Sequence, residues 1–228
     1  MSSLDPIAAQ QRLISSWTGR PLDGRGLLRI LNEDGSRPPI LWIFNSAKEP
    51  IPMAAALGAD QPLVFSRSAH LLVRPNDDPV QVSNVLTDYL YQEIKLRFPH
   101  VNFDMGTSCQ GSRILMRLSN LLREGGIGVG GLCMINCPLP EIVTDLPAFL
   151  VYGESDPAHD PFRKDIVVAK ERAEKVFSRY KRTMVNAKHG QFYAEGTIRK
   201  ILAQFEEFSS SKSLESALTA SESSSTVG

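Results

Sequence analysis

One stretch of the sequence, from Val101 to Gly126, has the composition needed to present a nucleophilic side chain. It reads VNFDMGTSCQGSRILMRLSNLLREGG: an apolar run, a turn of small residues that holds Ser108 and Cys109, and then an amphipathic helical pattern. A strand, a sharp turn and a helix in this order are the setting of a nucleophile elbow, in which small residues on either side of the nucleophile let the two backbones approach. The stretch therefore predicts covalent catalysis by a serine or a cysteine.

Two side chains compete for the nucleophile position. For Ser108 the residues two before and two after are Gly106 and Gln110, and glutamine is bulky for that place. For Cys109 they are Thr107 and Gly111, and the apolar positions of the following helix then fall where its buried face begins. We favour Cys109 and keep Ser108 as the alternative. The non-catalytic alternative is that Cys109 only packs as a small apolar side chain.

The acid of a catalytic triad is expected after the nucleophile along the chain. The downstream run LPAFLVYGESDPAHDPF is an apolar strand pattern followed directly by carboxylates. Asp156 is the favoured acid, with Asp160 and Glu154 as alternatives. An Asp-Pro turn formed for its own sake is the structural alternative at this position.

The base is expected last, and the chain has four histidines. His189 lies in the loop NAKHGQFYAEG, between a strand pattern and a final helix, and Gly190 gives its backbone freedom to turn into a cleft. We expect His70, His100 and His159 to lie in loops or surface turns. The order Cys109, Asp156, His189 favours His189 as the base.

These residues predict a defined chemistry. His189 takes the thiol proton and leaves a thiolate, while Asp156 orients the imidazole and stabilises its charged form. The oxyanion that develops on the substrate would be bound by backbone N–H groups. We expect these from Gln110 and from the loop after an earlier strand, at Asn45 or Ser46.

The elements that must position this chemistry alternate between strand and helix patterns, which predicts an α/β fold with a mostly parallel sheet flanked by helices. The strand patterns are Leu27–Leu31, Ile40–Phe44, Leu63–Phe65, Val101–Met105, Gly131–Ile135, Phe149–Tyr152 and Thr183–Val185. The helix patterns are Pro6–Trp17, Val80–Arg97, Ser112–Arg123, Ile166–Tyr180 and Thr197–Phe208.

The composition excludes several classes of protein. The 228 residues carry 25 basic and 25 acidic side chains, so there is no basic excess for nucleic acid. No apolar run reaches the roughly 20 residues of a membrane span, and the first residues lack a signal-peptide core. Three cysteines are too few and of the wrong parity for a disulfide scaffold, which favours a reducing, cytoplasmic setting.

We expect three parts along the chain. Residues 1–25 form an N-terminal helix or the end of a linker, and residues 26–208 form the catalytic domain. Residues 209–228 are rich in serine and glutamate and lack aromatic side chains, so we expect a disordered tail.

The run from Pro38 to about Phe208 resembles the thioesterase domains of nonribosomal peptide and polyketide synthases, which have the α/β-hydrolase fold. The resemblance rests on RPPILWIFN, on Ala56-Leu-Gly-Ala-Asp-Gln-Pro62, on the long helix ending in RFPH, and on the elbow and its helix. It implies that an acyl group is removed from the phosphopantetheine thioester of an acyl or peptidyl carrier protein. Beyond that carried substrate it implies no cofactor and no metal.

The sequence departs from this family in four places. The usual nucleophile is serine, whereas the matching position is Cys109. Phe44 and Asn45 stand where the family has its oxyanion-loop histidine, and Asn136 stands where many members hold the acid, which favours the later Asp156. There is little room for a lid between Cys137 and Leu146, so we expect the lid to be reduced or absent. A small esterase, a dienelactone-type cysteine hydrolase and a non-catalytic acyl- or partner-binding module remain as alternatives.

Overall fold

The computed structural model describes residues 5–75 and 77–224, with side chains up to residue 211. One eight-stranded sheet runs through the chain in the order β1-β2-β4-β3-β5-β6-β7-β8. The strands are β1 (Arg20–Pro21), β2 (Arg29–Leu31), β3 (Ile40–Phe44), β4 (Leu63–Arg67), β5 (Asn102–Ser108), β6 (Gly128–Ile135), β7 (Pro147–Gly153) and β8 (Arg179–Val185). From β4 to β8 every pairing is parallel, and β1 and β2 form an antiparallel edge.

Helices cover both faces of the sheet. The α-helices are α1 (Pro6–Ile14), α2 (Pro50–Leu57), α3 (Pro79–Arg97), α4 (Ser112–Glu124), α5 (Pro161–Lys164), α6 (Ile166–Val176) and α7 (Glu195–Ser224). One apolar core lies between the sheet and α3, α4 and α6, and a second lies between the sheet and α2 and α7. Strand β3 shows why both exist, since Leu41 and Ile43 enter the first core while Trp42 and Phe44 enter the second. Strands buried on both faces have continuous apolar sequences.

The parallel arrangement decides where the chemical groups meet. Strands β3, β5, β6, β7 and β8 all end at the same edge of the sheet. The residues that follow these ends include Asn45, Cys109, Asn136, Asp156 and His189. The predicted α/β fold is confirmed, and with it the topology that brings distant parts of the sequence to one edge.

Some predicted bounds were wrong. The helix pattern Ile166–Tyr180 ends at Val176, because Phe177 is extended and the chain must enter β8 at Arg179 to pair with Pro147. Helix α2 was not predicted, since its two prolines resemble loop punctuation, yet Pro50 stands at the first helical position, where proline is tolerated.

The N-terminal segment 1–25 is, where described, packed into the fold. Ile14 and Trp17 are buried in the core shared with α2 and α7. The side chain of Gln10, also buried, donates to the backbone carbonyls of Arg67 and Ser68. Of the two predicted alternatives, this segment is the docked helix, and it also supplies β1 to the sheet edge.

The C-terminal segment 209–228 differs from the prediction of a disordered tail. The backbone of α7 continues as helix to Ser224, and residues 225–228 lie outside the described part of the chain. A helix that is already docked needs no new nucleation step to grow, so residues of ordinary helix propensity such as those in LESALTASE can extend it. No helix of the described residues is long and apolar enough to cross a membrane.

Gly106→Ala should destabilise the protein by about 2–3 kcal/mol, because a Cβ at this position would lie 2.1 Å from the ring of Trp42. Trp42 cannot move aside easily, since it is fully buried and its indole N–H donates to the hydroxyl of Tyr193 at 2.9 Å. Urea unfolding measures the difference. Gly24→Ala is the matched control, since its Cβ would meet open space. Equal midpoints for the two variants would contradict the packing described here.

Candidate active site

Cys109 occupies the turn between β5 and α4 in a left-handed conformation, with φ of +46°. A non-glycine residue in this region carries a strain of about 1–3 kcal/mol and is found preferentially at functional sites. A Cβ on Gly111, two residues on, would lie 1.9 Å from Oγ1 of Thr107. The turn thus needs glycine two residues after Cys109, which is the spacing expected when residue 109 stands at the apex of an elbow.

Ser108, the alternative nucleophile, has different surroundings. It is buried and extended, with φ of −122°, as the last residue of β5. The side-chain amide of Asn45 donates both to the Ser108 carbonyl at 2.7 Å and to its hydroxyl at 3.1 Å. Oδ1 of Asn45 in turn accepts from the Ser68 hydroxyl at 2.7 Å. Ser108 belongs to a fixed polar network below the turn.

A pocket of about 130 Å³ opens at the strand ends around Cys109. It is lined by the predicted nucleophile, the predicted base and two of the three predicted oxyanion residues, Asn45 and Gln110. Its lining consists of Asn45, Glu49, His70, Ser108, Cys109, Gln110, Asn136, His189, Gly190, Phe192 and Tyr193. Ser46 does not line it, and Asp156 reaches it only through the groups that it contacts.

Asp156 is buried and has three polar neighbours. Its Oδ1 lies 2.7 Å from Nδ1 of His159, and its Oδ2 accepts from Nδ2 of Asn136 at 2.9 Å. Nδ1 of His189 is 3.5 Å from Oδ2, within ion-pair range but longer than a charge-assisted hydrogen bond. Burial alone raises the pKa of Asp156, but the hydrogen bonds from His159 and Asn136 outweigh it, so the pKa lies below that of an ordinary aspartate.

His189 stands at the mouth of the pocket, with 57% of its side chain exposed. Gly190 after it has φ of +81°, a conformation that glycine adopts freely. Nδ1 of His189 lies 3.2 Å from Nδ2 of Asn136 as well as near Asp156. For His189 to act as a base, Nδ1 must carry the imidazole proton and donate a hydrogen bond to Asp156, which leaves Nε2 free to accept a proton. The structure brings Asp156 and His189, the predicted acid and base, to within 3.5 Å of each other.

Four further residues of the site were missed from the sequence: His159, His70, Asn136 and Glu49. His159 was expected in a solvated loop, yet it makes the shortest contact to Asp156 and stacks on His189 with ring centroids 4.7 Å apart. His70 lines the pocket, where its Nδ1 pairs with Oε1 of Gln110. Asn136 was considered only as a lost acid. A polar residue directly after a buried strand, of a type that tolerates its positive φ, was the available signal.

Glu49 is the most consequential of the missed residues. Its carboxylate accepts the backbone N–H of Asn45 at 2.9 Å and also interacts with the N–H of Ser46. These are the N–H groups predicted to bind the oxyanion. An acidic side chain of the protein itself occupies the donors on this side of the site, and a substrate oxygen can reach them only after Glu49 leaves.

The predicted thiolate is not favoured in this arrangement. Burial raises the pKa of the Cys109 thiol, and the negative charges of Glu49 and Asp156 raise it further. The backbone N–H of Gln110 acts in the opposite direction, because it points toward the sulfur. The raised pKa favours the neutral thiol form of Cys109. The same N–H is in place to serve as an oxyanion donor.

Asp160, the alternative acid, belongs to a separate structural network. It is fully buried, pairs with the guanidinium of Arg182, and lies 3.8 Å from Nε of Arg163. Its Oδ1 also accepts the backbone N–H of Phe162 at 3.0 Å and so caps α5. These contacts account for its charge. Glu154, the other alternative, is exposed and has no place in the pocket lining.

Several solved structures have an architecture similar to that of this chain. No protein-family model matches the sequence, and no curated protein matches it. Among solved structures, the NocB thioesterase domain from the nocardicin cluster superposes with a TM-score of 0.58 at 10% identity, covering 79% of this chain and 97% of that one. The type II thioesterase BorB from the borrelidin biosynthetic cluster gives 0.55 at 15% identity, covering 74% and 92%. A Pyrobaculum calidifontis esterase gives 0.54 at 11% identity, covering 92% and 94%.

The chain has the α/β-hydrolase fold. This confirms the fold implied by the resemblance. The superpositions cover 97%, 94% and 92% of the three compared chains. The connection between β7 and β8 carries Asp156 and consists of the short helix Pro157–His159 and helices α5 and α6. The fold alone does not choose a reaction, which has to be argued from the site.

Glu49→Gln should increase the rate at which iodoacetamide alkylates Cys109 at pH 7.5 by about threefold to tenfold, since one pKa unit is a factor of ten in thiolate. Removing the negative charge lowers the thiol pKa, so the midpoint of the alkylation rate should also move to lower pH. The wild-type midpoint should lie above that of a free cysteine. Glu124→Gln, an exposed carboxylate outside the pocket, is the control. An unchanged or slower rate in Glu49→Gln would contradict the assigned role.

Proposed function

We propose that this protein is a thioesterase or acyltransferase that takes an acyl group from a pantetheine thioester onto Cys109 and passes it to water or to another nucleophile. The observation that carries the proposal is the left-handed Cys109 at the apex of the elbow, opening into a pocket that His189 also lines. Asp156 behind His189 completes the constellation. The fold similarity to biosynthetic thioesterases supports the same conclusion.

The proposed reaction has two halves. In the first, Nε2 of His189 accepts the proton of the Cys109 thiol, and the thiolate attacks the thioester carbonyl. The oxyanion is stabilised by the N–H of Gln110, and the tetrahedral intermediate expels the pantetheine thiolate, which takes the proton from His189. In the second, His189 deprotonates water, an alcohol or an amine, and this attacks the acyl-cysteine. The Cys109 sulfur leaves and recovers its proton from His189.

A cysteine nucleophile has a particular energetic consequence. The acyl-enzyme is itself a thioester, so the first transfer exchanges one thioester for another and is close to thermoneutral. The acyl group keeps its reactivity toward an amine or alcohol as well as toward water. Transfer and ring closure are therefore accessible to this site in addition to hydrolysis.

The proposed reaction requires two changes in the resting site. Glu49 must release the N–H of Asn45, and His189 must approach Oδ2 of Asp156 from its present 3.5 Å. Burial raises the pKa of Glu49, so this carboxylate takes up a proton more easily than an exposed glutamate does. Once protonated, it loses its charge and holds the N–H of Asn45 less strongly. Both changes involve side chains at the pocket mouth and need no rearrangement of the sheet.

The pocket limits the acyl group. Its volume of about 130 Å³ is below the 300 Å³ or more of pockets for drug-sized ligands. Phe192 and Tyr193 give part of its wall an apolar surface. A short acyl chain fits this space, and the pantetheine arm with its carrier protein would remain outside. The proposed partner is thus an acyl or peptidyl carrier protein, with no further cofactor.

Ester hydrolysis is the second candidate. The Pyrobaculum esterase covers more of this chain than the thioesterase structures do, 92% against 79% and 74%. The same triad would serve, with an alcohol as the leaving group. Rapid turnover of simple short esters, with no advantage for pantetheine thioesters of the same acyl group, would favour it over the thioesterase.

Incubation with acetyl- or butyryl-pantetheine should place one acyl group on Cys109, detected by intact mass and by peptide mapping after quenching in acid. The Cys109→Ser protein, which keeps a nucleophile of weaker leaving ability, should accumulate a longer-lived adduct, as an ester. A modification mapped to Ser108, or no adduct and no turnover by folded wild-type protein, would overturn the proposal.

Steady-state hydrolysis of the same thioester should distinguish the catalytic contributions of the site residues. Cys109→Ala should lower kcat/KM by about a thousandfold or more, and Asp156→Asn by about a hundredfold to ten-thousandfold. Ser108→Ala should stay within about tenfold of wild type, since its hydroxyl serves the network below the turn. Circular dichroism checks the fold of each variant. Equal losses in Ser108→Ala and Cys109→Ala would contradict the assignment.

A further inference from the structure

We propose that Asp156, His159 and His189 form a binding site for one divalent metal ion of the zinc class. One ligand atom from each residue lies within 4.8 Å of the other two. No metal was expected from the sequence, and His159 was expected only in a loop. The site exists only because the connections after β7 and β8 meet at the same edge of the sheet.

The geometry suits a small ion. Two ligands about 2.0–2.1 Å from Zn²⁺ in tetrahedral directions are separated by roughly 3.3 Å. Nδ1 of His159 is 2.7 Å from Oδ1 of Asp156 and Nδ1 of His189 is 3.5 Å from Oδ2, so each nitrogen lies near that spacing from one carboxylate oxygen. The two imidazole rings stack with an angle of 23° between their planes, and both turn Nδ1 toward the carboxylate. A modest rotation of the side chains would bring the three donor atoms, one from each residue, to a common distance from one ion.

The surroundings supply the features that orient metal ligands. Nδ2 of Asn136 holds Oδ2 of Asp156 at 2.9 Å, which fixes the carboxylate and leaves Oδ1 facing His159. Such outer hydrogen bonds are typical of metal sites and strengthen them. The carboxylate is buried, with 9% of its side chain exposed, whereas the two histidines are 44% and 57% exposed. An ion can therefore enter from solvent and meet a ligand that is already anchored.

The donor set selects the class of ion. Two imidazoles and one carboxylate are ligands for Zn²⁺ and similar transition metals, with a fourth position open to water. Ca²⁺ and Mg²⁺ prefer six or more oxygen ligands and would find only one carboxylate here. His159 is otherwise unused by the proposed reaction, in which Asp156 and His189 suffice.

Metal binding and the triad exclude each other. An ion bound at Nδ1 of His189 leaves the imidazole proton on Nε2, the atom that must be free to accept the proton of Cys109. The same ion occupies the carboxylate of Asp156, which the triad needs to orient His189. Occupancy of the site would thus inhibit the enzyme, and a chelator would restore it. This consequence rests on the proposed function, but the binding itself does not.

Titration of tag-free protein with Zn²⁺ in a calorimeter, with a competing chelator of known affinity, tests the binding. We expect one site per chain in wild type. His159→Ala should weaken binding by about tenfold or more, as expected when a ligand or its support is removed. His100→Ala, which removes an exposed histidine outside the cluster, should leave it unchanged. Wild type, His159→Ala and His100→Ala binding alike would overturn the proposal.

The Cys109→Ser protein separates this site from the nearby thiol. It should bind Zn²⁺ as wild type does, and Co²⁺ in its place should give the visible absorption of a nitrogen- and oxygen-ligated tetrahedral ion without a thiolate charge-transfer band. Loss of binding in Cys109→Ser, or a thiolate band in wild type that this variant lacks, would mean that the thiol is the ligand and would overturn the proposal.

The inhibition is measured separately, on thioester hydrolysis at a fixed pH. Zn²⁺ should inhibit wild type at the concentration at which it binds, and His159→Ala should need about tenfold more, in line with its weaker binding. If the protein binds Zn²⁺ through His159 but hydrolyses no thioester, the proposed function fails and the metal site stands. If it hydrolyses thioesters and Zn²⁺ inhibits wild type and His159→Ala equally, the metal site fails.

Discussion

The turn from β5 into α4 leaves no space for a side chain at residue 111, and the rest of the site depends on that constraint. Because the Thr107 hydroxyl lies against Gly111, the helix starts close to the strand end, and Cys109 between them is held with positive φ. This backbone lifts the thiol toward the pocket and turns the N–H of Gln110 toward the sulfur. The buried Trp42, packed on Gly106 of the same strand, fixes the strand beneath the turn.

The electrostatics of the resting site oppose nucleophile activation. Burial and two nearby carboxylates keep Cys109 protonated, while Asp156 is held ionised by His159 and Asn136. Charge is thus concentrated on the acid, away from the sulfur. An arrangement of this kind protects a cysteine from oxidation and alkylation until a substrate changes its surroundings, because the thiolate is the reactive form.

Much of the fold could be predicted from the sequence, because strands buried on both faces have continuous apolar runs such as ILWIF and FLVY. The elbow could be predicted too, since its small residues are adjacent in the chain. The surroundings of Asp156 could not. His159 is three residues away on the same loop, but Asn136 and His189 reach it from other strand ends, and no local pattern records that meeting. Glu49 was missed because a glutamate before a proline-rich segment has no distinctive local context.

In the proposed function, Glu49 gives the pocket a way to discriminate among substrates. The Glu49 carboxylate interacts with the backbone N–H groups of Asn45 and Ser46, so displacing it costs free energy. Every substrate must supply that free energy before these N–H groups can bind the substrate carbonyl. A small free ester offers few contacts with which to do so. A long pantetheine arm attached to a folded carrier brings binding energy from outside the pocket, and such remote contacts can drive a rearrangement at the reacting centre. In the proposed function, selectivity for carrier-bound acyl groups then arises from a residue that need not touch the carrier at all.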